Sequence, residues 1–149
     1  SAMTFDTTNI GFIAGASGTS VIAIIAQMPH SWKEGSDIVP HIHWLPTNAD
    51  NKNVYWRMEY KWVNIGDDDA VSFTPVNIQS AASGTAYKHQ LSSFGAISGT
   101  GKKISSIITI KISRIGGDTL DTYTGDALLK EFDIHYEIDT VGSRSELLK

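Results

Sequence analysis

Cysteine is absent from the 149 residues, which removes disulfides, thiolate nucleophiles and Cys-ligated zinc together. Positive charge is scarce: 12 Lys and Arg stand against 16 Asp and Glu, a formal net charge of -4 with a pI near 5.6. Nothing in that balance offers a broad basic field to a phosphate backbone, so nucleic acid is not an expected partner. Long apolar runs are lacking too. The most apolar stretch, Val21 to Met28, falls far short of the roughly 20 residues that cross a bilayer as a helix, and no basic segment with a cleavage site precedes it. Neither membrane insertion nor a signal peptide is expected. Sustained helical periodicity is missing as well; only Ser31 to Gly35 and Asp126 to Lys130 could form a helical turn.

What is present is alternation. Around Tyr55 to Val63 one face collects Val54, Trp56, Met58, Tyr60 and Trp62, and the other Tyr55, Arg57, Glu59 and Lys61, the pattern of a half-buried strand. Ile104 to Ile115 is rich in β-branched residues, with Ile108, Ile110 and Ile112 in phase. Phe132, Ile134, Tyr136 and Ile138 alternate with Asp133, His135, Glu137 and Asp139, which turns the charged set toward water or a partner. Further strands are expected at Asn9 to Ile13, Val21 to Met28, Val39 to Leu45, Val71 to Gln79 and Tyr87 to Ser92. Runs of Gly, Asn and Asp at residues 50–53, 66–69, 99–102 and 116–118 supply the turns between them. About eight strands predict an all-β, jelly-roll-like antiparallel sandwich. The length suits a single domain. Ser1, Ala2 and Met3 look like a cloning remnant, which points to a longer natural chain with residues 4–149 as its C-terminal β-sandwich domain.

The sharpest chemical constellation is His41 with His43, because residues two apart on a strand share a face and can offer two imidazoles to one metal. Gly35, five residues, then His41-Ile42-His43 matches the first half of a cupin motif, but Pro46, Thr47 and Asn48 stand where its Glu belongs. In a trimer, such pairs from three chains could also meet on the symmetry axis. The preferred reading has one histidine packing beside Trp44 and the other hydrogen-bonding a neighbouring strand or loop, with His135 free to join either arrangement. Gly99, Gly101, Lys102 and Lys103 miss the phosphate-loop pattern at Ala96 and Lys103 and read as a hairpin turn. Asp67 to Asp69, with Asp118, Asp121 and Asp126, lack the spaced calcium-loop pattern and read as solvated turns. Glu137 and Asp139 share a face through alternation alone, and no Gly-x-Ser-x-Gly elbow exists. Of the four tryptophans, Trp56 and Trp62 fit a core, while Trp32 is a surface candidate for stacking on a sugar ring. No catalytic, cofactor-binding or metal-ligating residue is assigned, and no cofactor is expected.

The runs Met28-Pro29-His30-Ser31-Trp32-Lys33-Glu34-Gly35-Ser36-Asp37-Ile38-Val39-Pro40-His41-Ile42-His43-Trp44 and Trp56 to Gly66 look familiar, as do Gly99 to Ser106 and Phe132 to Arg144. From about Met28 to Lys149 the chain resembles a group of uncharacterised structural proteins of tailed bacteriophages. That resemblance implies a non-enzymatic virion component, a fibre, spike or capsid decoration domain, in a homotrimer that contacts other virion proteins. It implies no known site residues. The alternative is a host-surface carbohydrate-binding module, motivated by the tryptophans and polar loops, and a more distant one is a cupin-like metal-binding protein centred on His41 and His43.

Overall fold

The computed structural model describes residues 3–5, 10–12, 21–143 and 145–148. They form nine strands: β1 (Met3–Phe5), β2 (Ile10–Phe12), β3 (Val21–Gln27), β4 (Ile38–Pro46), β5 (Asn53–Val63), β6 (Thr74–Ala81), β7 (Gln90–Ser93), β8 (Ile107–Arg114) and β9 (Ala127–Tyr136). One sheet has the order β1-β2-β9-β4-β7 and the other β3-β8-β5-β6, with every pairing antiparallel. The pairs β2 with β9, β3 with β8, β4 with β7 and β5 with β6 nest inside one another along the chain. A long hairpin ribbon rolled up on itself gives this pattern. The β4–β9 and β5–β8 pairings then close the roll into two sheets, and the result is a jelly roll.

The inward phases meet as expected from the alternation. Ile38, Ile42 and Trp44 from β4 pack with Val54, Trp56, Met58 and Trp62 from β5 and with Ile108, Ile110 and Ile112 from β8. Trp56 lies at the centre, edge-on to Phe12 at 5.4 Å and to Trp44 at 5.8 Å between ring centroids, the geometry aromatic quadrupoles prefer. The indole N–H groups of Trp44 and Trp62 donate to the hydroxyls of Ser92 and Ser106, each at 2.8 Å, which removes the cost of burying them.

Several boundaries differ from expectation, each for a local reason. Asp126 to Lys130 is no helical turn: Ala127 to Lys130 opens β9. The register steps from His43 opposite Glu131 to Trp44 opposite Leu129, so Lys130 is a bulge residue. The bulge shifts the inward phase from Ala127 and Leu129 to Phe132 and Ile134 and leaves Lys130 and Glu131 both exposed, which breaks the alternation that marks a strand. Ser31 to Gly35 forms turns without a helix. The strand expected from Tyr87 begins at Gln90, because Tyr87 adopts a left-handed φ of 59°. Ile104 to Ser106 precede β8, with Ser105 at φ 61°, and β6 begins at Thr74, after Val71 to Phe73.

Candidate metal centre on the outer face of the five-stranded sheet

β4 is an interior strand, paired with β9 on one side and β7 on the other. Its inward phase is spent on Ile38, Pro40, Ile42 and Trp44, so Val39, His41 and His43 face outward. In the register His41 stands opposite Asp133, His43 opposite Glu131 and Val39 opposite His135. The polar faces of two strands far apart in sequence thus form one surface.

On that surface the Nε2 atoms of His41 and His43 are 3.2 Å apart. Oδ2 of Asp133 is 3.5 Å from Nε2 of His41 and 3.9 Å from Nε2 of His135. The other carboxylate oxygen of Asp133 accepts the backbone N–H of Ile134 at 2.7 Å. His89, in the loop before β7, places Nε2 2.7 Å from Nδ1 of His43. The His41 ring is edge-on to that of His135, 4.5 Å between centroids, and His41 is only 3% exposed. His41, His43 and Asp133 can each bring one ligand atom within 4.8 Å of the others, a mixed nitrogen and oxygen donor set suited to a divalent transition metal.

The expectation for the histidine pair is met in one half. His43 hydrogen-bonds a loop residue, His89, but neither histidine packs beside Trp44, whose side chain points into the core on the opposite face. His135 joins the cluster. Asp133 and His89 were not singled out by sequence reasoning. The signal for Asp133 was present in the polar phase of β9, but which histidine it meets depends on register; His89 lies in a loop and carries no pattern. The cupin position stays empty of carboxylate: the Thr47 hydroxyl donates to the Asp126 carbonyl, and the Asn48 amide reaches Thr124. The acid near the histidines comes from β9 instead.

The remaining candidates are structural. Trp32 is not a surface residue; it is fully buried against Trp62, 5.4 Å between centroids. The glycine-lysine segment connects β7 and β8, which lie in different sheets, and so is no hairpin. Its Lys102 donates to the Trp62 carbonyl at 2.6 Å. Asp69 pairs with Lys61, and Asp68 and Asp118 cap their own turns. Asp121 is not solvated but buried against Arg114. Glu137 is held by Lys33 at 2.8 Å.

No family model matches the sequence, and no curated protein does. Among solved structures, one described as "Family 16 Carbohydrate Binding Module-2" is similar with a TM-score of 0.37 and 8% identity, over 88% of this chain and 78% of that one. At that identity no residue role passes from one chain to the other.

Proposed function

We propose that this chain is a non-enzymatic jelly-roll domain that works by surface contact, assembling with copies of itself as a building or decorating domain of a tailed-phage particle. The free edge of the four-stranded sheet carries this reading. Strand β3, Val21–Gln27, has no charge and no proline, and its register with β8 runs unbroken over its whole length. Edge strands of soluble proteins are ordinarily blunted by lysine, proline or a bulge, because their unpaired N–H and C=O groups template further pairing. Here the outward residues are Val21, Ala23 and Ile25, the last 71% exposed. Among the described residues nothing pairs with that edge.

Among the described residues the sandwich is open beside it. Among the described residues β2 pairs with β9 over Ala127 to Leu129, and a cleft of about 350 Å³ lies between β3 and the later part of β9, its lining including Ile24, Ala26, Met28, Phe132, Ile134 and Tyr136. A second copy that lays β6, the other edge of the same sheet, along β3 extends that sheet beside the cleft, and three such head-to-tail contacts close a ring in which neither β3 nor β6 is left unpaired. The phage setting rests on the runs that resemble phage structural proteins; Met28, Trp32, Ile38, Ile42 and Trp44 within them are buried and serve the fold. Light scattering tests the proposal: the purified chain is expected to be trimeric, and Ile25→Lys, which places a charge on the edge, to be monomeric with unchanged circular dichroism. A wild-type monomer at high micromolar concentration would overturn it.

A second reading, recognition of a host-surface glycan, is favoured by the outer face of the four-stranded sheet. Tyr55, Arg57, Asn77 and Gln79 sit side by side there in the β5–β6 register, with Arg57 Nε donating to the Asn77 side-chain oxygen Oδ1 at 3.0 Å. Planar polar groups beside an aromatic ring suit a sugar. Binding on a glycan array that Tyr55→Ala abolishes would support this reading, and a blank array would remove it.

A further inference from the structure

We propose that His41, His43 and Asp133 bind one divalent transition-metal ion of the zinc class on the outer face of the five-stranded sheet, with His89 as a positioning residue. Around a tetrahedral zinc ion, bonds of about 2.0–2.1 Å hold neighbouring donor atoms about 3.3–3.4 Å apart. The separations of 3.2 Å between the two Nε2 atoms and 3.5 Å between His41 Nε2 and Asp133 Oδ2 lie on either side of that value. A hydrogen bond between two imidazoles accounts for the first distance alone. It does not account for the carboxylate of Asp133, which brings a third donor atom within 4.8 Å of both histidines.

The surrounding contacts favour the ligating form of each group. With the proton of His43 on Nδ1 and donated to His89 Nε2 at 2.7 Å, the lone pair of His43 Nε2 faces the site. The Ile134 N–H holds one oxygen of Asp133, which leaves the other directed at the histidines. His41 is held by packing, and both of its neighbours are paired strands, so the donors sit on a rigid frame. Two neutral imidazoles and one carboxylate suit zinc, cobalt or nickel; calcium and magnesium take six or more oxygens. His135, whose side chain is 71% exposed, stands 3.9 Å from the same Asp133 oxygen at the solvent side of the cluster. A bound ion ties β4 to β9 across the His41–Asp133 register pair.

Calorimetric titration with zinc chloride, on chelator-treated chain freed of any histidine tag, reads stoichiometry and affinity, and cobalt(II) absorption reads the ligand field. One ion per chain is expected, with the intense visible bands of a low-coordinate cobalt site. Replacing buried His41 risks the fold, so His43→Ala and Asp133→Asn carry the test. Each is expected to weaken zinc binding by more than roughly 100-fold, and His89→Ala by roughly 10- to 100-fold with the cobalt bands retained at saturation. His30→Ala, whose ring contacts Ser105 and Ser143 elsewhere, is expected to bind as wild type. No saturable zinc binding at millimolar concentration, or binding that His43→Ala and Asp133→Asn leave intact, would overturn the proposal. Asp133 also borders the cleft beside β3, but all three ligands come from one chain, so the Ile25→Lys chain should retain the site as a monomer.

Discussion

Arg114 and Asp121 are joined at two points, Nη2 to Oδ1 at 2.6 Å and Nε to Oδ2 at 2.8 Å, with each side chain 1% exposed. The other guanidinium hydrogens are placed as well: Nη1 donates to the carbonyls of Phe12 and Gly125, and Nη2 also to that of Tyr123. Asp121 in turn accepts the Tyr55 N–H at 3.0 Å. One ion pair therefore links β2, β5, β8 and the loop before β9, across both sheets.

Removing one partner leaves a buried, uncompensated charge. Arg114→Ala is expected to cost about 3–5 kcal/mol in urea denaturation. Arg114→Lys should recover little, because an ammonium cannot reproduce the planar fork. A buried pair can often be exchanged for apolar residues at no cost, but here three backbone carbonyls depend on the same guanidinium. Arg114→Met combined with Asp121→Leu should therefore remain less stable than wild type, and a neutral double variant would contradict this account.

Trp32 makes a prediction that separates packing from recognition. Fully buried beside Trp62, it should cost about 3–5 kcal/mol when replaced by alanine, as large core truncations do. A surface sugar platform would instead lose binding at unchanged stability. Thermal denaturation of Trp32→Ala distinguishes the two, and an unchanged midpoint would remove Trp32 from the core.

Gly99 stands where no side chain fits. A Cβ built there would meet the Ser36 carbonyl oxygen at 1.9 Å and Trp32 Cζ2 at 2.9 Å. Backbone cannot yield as a flexible side-chain tip can, so Gly99→Ala should separate the segment before β8 from the turn before β4 and unsettle Trp32. The expected readout is a large fall in melting temperature with a shift in tryptophan fluorescence. Gly101→Ala meets nothing within 4 Å, but its φ of 75° favours glycine, so it should cost only about 1 kcal/mol.

The strands and their inward faces were legible wherever alternation ran unbroken, as in β5 and in the isoleucines of β8. It failed where a bulge intervened, at Lys130, and where burial came from a loop. Trp32 follows no period; it is buried because Gly99 lets two loops approach closely. Arg114 carries a signal of its own: it continues the inward phase of Ile108, Ile110 and Ile112, and a charge at such a position requires a buried partner. Of the histidine site, sequence periodicity showed the shared face of His41 and His43. It could not show Asp133 opposite His41, because register is decided by tertiary packing and turn geometry.

Asp50 couples the loop after β4 to the loop before β9 in a way that pH can address. Desolvation pushes its carboxyl up. That effect is outweighed by the hydroxyl and backbone N–H of Thr124, the backbone N–H of Lys52 and the Lys52 charge, so the group lies below its ordinary value of 3.8. The Thr124 hydroxyl donates at 2.9 Å and the two N–H groups at 3.2 Å. A carboxyl that binds its proton more weakly in the folded chain than in the unfolded one stabilises the fold above the unfolded value and loses that contribution as pH falls through the folded value. Asp50→Asn should therefore be less stable than wild type near neutral pH, since an amide presents only one acceptor oxygen. The gap between the two melting temperatures should narrow below about pH 4, where the unfolded wild-type chain begins to take up the proton. Parallel melting curves for the two proteins from neutral pH to about pH 3 would show that the Thr124 and Lys52 contacts do not favour the ionised form.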